Sequence, residues 1–373
     1  MATPDEKIYQ LALSMTPGLG CKACRQLLDL GKNATELFGM TKSQLIEFTG
    51  GTKHKFIDNI VNRVSMPQSE NEMRWMERYG IQMLYYTDQN YPQRLNRTEC
   101  IDTPIVLFMQ GQCDLNNTKT MAMVGSRRAT EYGKEQTTRI VNSMQGDNIL
   151  VISGLAYGID GWAHRSALDN QLPTVAVLGH GLDNIYPSQH RKLASDIINH
   201  GGALVTEYPS GTKINPVYFP ARNRIVAAMS DVVIVVEAAD KGGALITANI
   251  ACGYNRDVMA VPGRLDDTYS VGCNNLIASH KASILRSADD IYDMMNWTSL
   301  QRKPDGGKQQ ELFKSLGPNE QSVYNILKTY GPQTIDEMTT HTTLSLTKIA
   351  DALLNLELDG NIKCLPGKLY KAM

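Results

Sequence analysis

The chain has 373 residues, too long for one average domain and suited to two or three. With 42% hydrophobic and 20% charged residues it has the composition of an ordinary soluble globular protein, and a net charge of −1 means that any nucleic-acid surface must be local. No stretch is long and apolar enough to span a bilayer, and the opening "MATPDEKIYQLALSM" is too charged for a signal peptide, so a cytoplasmic protein with no membrane partner is expected. The seven cysteines are odd in number and scattered. Cys21 and Cys24 form a C-x-x-C with no second pair or matched histidines to complete a zinc site, leaving buried thiols or a redox pair as readings.

Residues 1–75 carry apolar residues at helical spacing ("PDEKIYQLALSM", "CRQLLDL", "TKSQLIEFTG") and predict a small helical domain. Within it, Gly18-Leu19-Gly20 before Cys21 outlines a helix-hairpin-helix, whose turn N–H groups can face a phosphate; a plain glycine turn between packed helices fits equally. From residue 81 the pattern changes. "IQMLYY" and "TPIVLFM" read as strands, followed by "TMAMVG", "NILVISG", "PTVAVLG", "GALVTEY", "DVVIVVEA" and "DVMAVPG", short Val/Ile/Ala-rich runs typical of strands buried on both faces. Helical stretches lie between most of them, near 134–144, 160–168, 191–199, 222–229 and 244–254. The fold class expected for 81–297 is α/β, a doubly wound, mostly parallel sheet of extended Rossmann-like type. Residues 298–316 are polar with Pro and Gly-Gly and read as a linker. Residues 317–373 give three helical stretches and then "NIKCLPGKLYKA", two extended runs around Pro-Gly, the outline of a winged helix. That segment has five Lys/Arg against six Asp/Glu, so protein contact or structural capping competes with DNA reading.

Ligands of open α/β sheets sit at the carboxyl ends of the strands. Nearly every such end here is unusual: Gly125-Ser126-Arg127-Arg128, Ser153-Gly154 opening "SGLAYGID", then "GHGLDNIYP", "EYPSGTKINPVYFPARNR", and "EAADKGGALITA" with Gly242-Gly243. A dinucleotide would need G-x-G-x-x-G after Gly125 and an acid ending the second strand; neither is present. G-x-x-x-x-G-K-[ST] occurs nowhere, so no ATP loop and no cofactor are expected. Single-stranded nucleic acid remains, because it is held by cations and N–H groups along its backbone and by rings against its bases. The segment 208–224 interleaves Tyr208, Lys213, Tyr218, Phe219, Arg222 and Arg224. Lys213, Phe219 and Arg222 are expected to face ligand; Arg224 can brace the fold, and the two tyrosines can be core.

"GSRRATEYG", "SGLAYGIDGWAH", "AVLGHGLDNIYP", "YFPARNRIVAAMSDVVIVVEA" and "VPG…GCNNLI" together resemble the DNA-processing protein A family (DprA, also called Smf), in order over roughly 81–290. The resemblance implies a protein, not an enzyme, that binds and protects single-stranded DNA entering in natural transformation and helps load the RecA recombinase. It also implies a homodimer formed through the Rossmann-like domain. Matched to that family's binding motif, Gly125, Ser126 and Arg127 take phosphate, joined by Lys213 and the run from Phe219 through Arg222, Asn223 and Arg224. Ser153, Gly154, Gly242 and Gly243 are added as glycine-turn contacts.

Support for catalysis is thin. The seven histidines show no metal spacing, and no G-x-S-x-G is present. His164 is expected on the helix after the second strand, in a packed or capping role. Glu207 and Glu237 end two strands and suit either a carboxylate pair or the fixing of loop shape. The rival is a nucleotide-cleaving phosphoribohydrolase of the lysine-decarboxylase-like group, whose P-G-G-x-G-T-x-x-E turn is only partly matched by "DKGGALITA", with Lys241 in place of the proline.

Overall fold

The computed structural model describes residues 4–51, 54–299, 317–358, 361–365 and 369–372. The expected linker falls almost wholly outside them, as does the Pro-Gly turn of the C-terminal hairpin. The chain divides into two compact units near residue 302.

Among the described residues the first unit opens with six helices: α1 (Pro4–Ser14), α2 (Cys21–Asp29), α3 (Ala34–Gly39), α4 (Lys42–Phe48), α5 (Lys55–Val61) and α6 (Met66–Tyr79). Asn33 and Thr41 start α3 and α4 with reciprocal capping boxes, and α6 stops at Gly80 in the left-handed region. The sheet strands follow as β1 (Gln82–Tyr85), β2 (Val106–Gly111), β3 (Thr120–Gly125), β4 (Leu150–Ser153), β5 (Thr174–Leu178), β6 (Ala203–Thr206), β7 (Val232–Val236), β8 (Asp257–Ala260) and β9 (Ser283–Ile284). Between and after them lie α7 (Glu131–Asn142), α8 (Ile159–Asp169), α9 (Arg191–Asn199), α10 (Tyr218–Met229), α11 (Gly243–Gly253), α12 (Val271–Ala278) and α13 (Ala288–Met295).

The nine strands run in the order β1-β2-β6-β5-β4-β3-β7-β8-β9. From β6 to β9 every pairing is parallel, whereas β2 runs antiparallel to both β1 and β6. The fold is therefore the expected α/β, Rossmann-like, mostly parallel sheet. Alternate residues of β3 serve opposite faces. Ala122 and Val124 join the core under α10 and α11, while Met121 and Met123 pack with Ile140 and Val141 of α7 and Ala163 of α8. From β3 the chain winds outward through β4 and β5 to β6, then returns to lay β7 on the other side of β3. This reversal makes β3/β7 the topological switch point, where the loops leaving the two strands diverge and open a crevice.

The change of pattern near residue 80 separates two kinds of secondary structure, yet the packing runs across it. Leu11, Leu27, Leu37, Ile57 and Ile60 share one core with Phe108 of β2, Leu178 of β5 and Ile197 of α9.

The second unit contains α14 (Pro318–Tyr330), α15 (Ile335–Thr339) and α16 (Leu346–Leu358) with the antiparallel pair β10 (Ile362–Leu365) and β11 (Leu369–Ala372). Val323, Leu327, Met338, Ile349, Leu353 and Ile362 form its core.

Candidate nucleic-acid interface

At the switch point β3 ends in Gly125, whose lack of a side chain is a packing requirement: a Cβ there would run into the Val236 carbonyl oxygen and stand 2.5 Å from Ile159. The next N–H does not face outward. Ser126 donates it to the Glu237 carbonyl oxygen at 2.7 Å, and its hydroxyl accepts from the N–H of Arg128 at 3.0 Å. The Ser126 N–H is therefore not offered to a phosphate, because it bridges β3 to the loop after β7.

Arg127 is exposed, and its guanidinium lies 5.9 Å from the centre of the Phe219 ring. Phe219 is half-buried and leans on Tyr186, with ring centres 5.5 Å apart. Tyr186 is 43% exposed, a neighbour that sequence spacing did not single out although it stands in "GHGLDNIYP". A cation above a ring, with a second ring beside it, combines the two groups that hold a single strand.

Helix α10 begins at Tyr218, four residues before the start expected from the sequence, because Pro220 is tolerated in a first turn. Within this helix Arg222 points inward. It is 4% exposed, and its Nη1 donates to the carbonyl oxygens of Gly154 (2.7 Å) and Val177. Burial lowers its pKa to about 10, the Asp160 carboxylate pulls the other way, and the positive charge of Arg127 adds to the lowering. The expectation that Arg222 faces ligand is corrected: it braces the ends of β4 and β5.

Ser153 and Gly154 are buried too. The Ser153 hydroxyl donates to the Met123 carbonyl oxygen at 2.6 Å, and the Gly154 N–H donates to Asp160 at 3.1 Å. Their polar groups are already occupied inside the protein, so both are corrected from contacts to supports. Arg224 is held by two bonds of 2.6 Å to the Glu207 carboxylate, and it donates to the Asp102 carbonyl oxygen at 2.9 Å. Burial alone would lower its pKa, but the bonded Glu207 reverses this and raises it. The bracing role stands in place of the DNA contact. Cys21, half-buried beside Arg224 and Glu207, has its thiol pKa raised first by burial and then by Glu207.

Asn223 joins helix to helix, donating to the Gly243 carbonyl oxygen at 3.2 Å. Gly242 and Gly243 are exposed at the start of α11, with open space where a Cβ of Gly242 would be. Lys241, exposed beside them, adds a cation that the sequence had offered only as a departure from an enzyme motif. Lys213 is exposed on the loop before α10. That loop is anchored by buried Glu72 of α6, which accepts from the Ser210 N–H at 2.9 Å and the Ser210 hydroxyl at 2.6 Å. Tyr208 and Tyr218 stack on each other, with centres 4.5 Å apart.

The structure therefore gathers Arg127, Phe219, Asn223, Gly242 and Gly243 around the switch-point crevice and withdraws Ser153, Gly154, Arg222 and Arg224 beneath it. The two strand-end acids have separate occupations. Glu207 pairs with Arg224, and Glu237 accepts from the N–H (2.9 Å) and hydroxyl of Thr130. No group of three or more His, Cys, Asp or Glu able to hold a metal occurs among the described residues. Nor is any helix among them long and apolar enough to cross a membrane.

Similarity to known proteins identifies the family. Residues 82–296 match the family described as DNA recombination-mediator protein A, and residues 310–368 match the DprA winged helix domain. Protein Smf of Synechocystis is 30% identical over 98% of this chain and 99% of its own length. The DNA processing protein DprA of Streptococcus pneumoniae has a crystal structure that superposes with a TM-score of 0.66 at 31% identity, over 79% of this chain and 98% of that one. A Helicobacter pylori DNA processing protein A structure, described for its single-stranded DNA binding mode, superposes with a TM-score of 0.52 at 27% identity, over 58% and 96% of the two chains. A Rossmann-like sheet matched along its whole length, followed by a matched winged helix, establishes that the chain belongs to the DNA recombination-mediator protein A (DprA/Smf) family.

Proposed function

We propose that this chain is a single-stranded DNA-binding recombination mediator. It binds the single-stranded DNA that enters during natural transformation, protects it and helps load the RecA recombinase onto it, acting as a homodimer and without catalysis. One observation carries the reading: the exposed Arg127 guanidinium over the Phe219 ring at the β3/β7 switch point, beside the open glycine start of α11. Here a phosphate meets a cation and helix N–H groups, and the base next to it meets a ring. The Helicobacter pylori relative, whose structure is described for its binding of single-stranded DNA, supports the same ligand. Separate engagement of Glu207 and Glu237 in structural bonds supports the reading without catalysis, since a paired acid and base are what a hydrolase would need.

The test is an electrophoretic shift with single- and double-stranded DNA over a salt series, followed by RecA filament assembly on the bound strand. Preferential, salt-sensitive binding of the single strand and faster filament growth are expected. Release of free base from nucleotides incubated with the protein, or equal affinity for duplex and single strand, would sink the proposal.

A further inference from the structure

The segment between β4 and α8 has two uncommon features that the DNA contacts above leave unexplained. Leu155 is fully buried with φ +57°, and Gly158 has φ +75°, so the chain doubles back tightly over five residues. Its inner side is tied down by two groups. Asp160, itself buried, accepts from the N–H groups of Gly154 (3.1 Å) and Ala156 (3.4 Å), and Arg222 donates to the Gly154 carbonyl oxygen at 2.7 Å. Its outer side meets the first strand's loop. A Cβ on Gly158 would press into the Ser126 carbonyl oxygen and stand 2.8 Å from the Arg127 Cα, and the next residue, Ile159, donates its N–H to that same Ser126 oxygen at 3.1 Å. With the Ser126 N–H also donated to the Glu237 carbonyl oxygen, Ser126, the residue before Arg127, is held at both its N–H and its carbonyl oxygen.

We propose that Gly158 and Asp160 are positioning residues for the Arg127 contact: the 154–158 loop, pinned by Asp160, clamps the Ser126–Arg127 peptide and aims the Arg127 side chain across Phe219. The inference rests on the reading of Arg127 as a phosphate contact and deepens it. Only glycine enters the Gly158 conformation readily, and only a residue without a Cβ lets the two backbones touch. The buried carboxylate keeps the loop from relaxing outward, because its release would strand the N–H groups of Gly154 and Ala156. A long, flexible arginine gains by such preorganisation, since less of its freedom is lost when the phosphate arrives.

A double-mutant cycle on the full chain tests this, reading the anisotropy of a labelled oligothymidine strand together with each variant's thermal melt. Gly158→Ala, folded, should lose roughly tenfold or more in affinity, much as Arg127→Ala does. The Gly158→Ala/Arg127→Ala double variant should bind no more weakly than Arg127→Ala alone, with the same salt slope. A general loss of structure would not reproduce this, since its losses would multiply. Wild-type affinity in folded Gly158→Ala, or multiplying losses, would overturn the clamp. If Gly158→Ala does not fold, Asp160→Asn takes its place in the same cycle under the same two criteria. An Arg127→Ala variant that binds like the wild type removes the proposed phosphate contact itself, an outcome distinct from failure of the clamp.

Discussion

The Arg127 guanidinium and the Phe219 ring stand 5.9 Å apart, brought together by the loop after β3 and the start of α10. Arg127 is exposed, and among the described residues no ion pair occupies its charge. Arg127→Ala should weaken single-stranded DNA binding by about 1–3 kcal/mol. The slope of log K against log salt should shrink by about 0.7, the value for one phosphate on a single strand. A folded variant with unchanged affinity and slope would exclude Arg127 from the interface.

Phe219→Ala should cost about 1–3 kcal/mol on oligothymidine, the usual effect of removing one stacking ring. On an abasic strand of the same length the loss should nearly vanish, since no base is left to stack. Equal losses on both strands would mean that the ring only supports Arg127 and Tyr186.

Arg222 sits in the same motif run but should fail in a different assay. Arg222→Met leaves two carbonyl oxygens without a donor and removes the positive charge that favours ionised Asp160, so a loss of about 1–3 kcal/mol in stability is expected. Arg224→Ala, which strands Glu207, should behave similarly. Urea unfolding reads both; a variant with unchanged midpoint and lost DNA affinity would reinstate that arginine as a contact.

His164 gives a pH prediction. It is fully buried; its Nδ1 lies 2.7 Å from the Thr174 hydroxyl, which itself donates to the Val151 carbonyl oxygen, so Nδ1 carries the hydrogen and Nε2 is bare. Burial first, and then the nearby His190, lower its pKa to about 3. A folded pKa below the unfolded value means that the unfolded chain binds the proton first as the medium is acidified. The stability contribution of neutral His164 is therefore complete above about pH 6.5 and declines toward pH 3, by about 1.4 kcal/mol per unit. Thermal melts between pH 7 and 4 should show a shallower acid limb for His164→Gln than for the wild type; parallel limbs would disprove the assignment.

Much of this molecule is legible in the chain itself. The short Val/Ile/Ala runs read as strands covered on both faces, and the helical spacing between them predicts a mostly parallel sheet. The glycine turns stand at the carboxyl ends of the strands, the edge where ligands of open α/β sheets bind, and the sequence carries neither the dinucleotide nor the Walker spacing. These signals are local, encoded within a few residues of each other.

What the tertiary structure decided is which members of each motif face water. Arg127 and Arg222 read alike as cations beside glycines or rings. Arg222 is buried where Gly154, 68 residues away in sequence, presents a carbonyl oxygen to it. Likewise the loop carrying Lys213 is fixed by Glu72, 138 residues from Ser210. No period or spacing records such partners. A buried charge survives only where distant groups satisfy it, and those groups come together only when the sheet closes around its switch point.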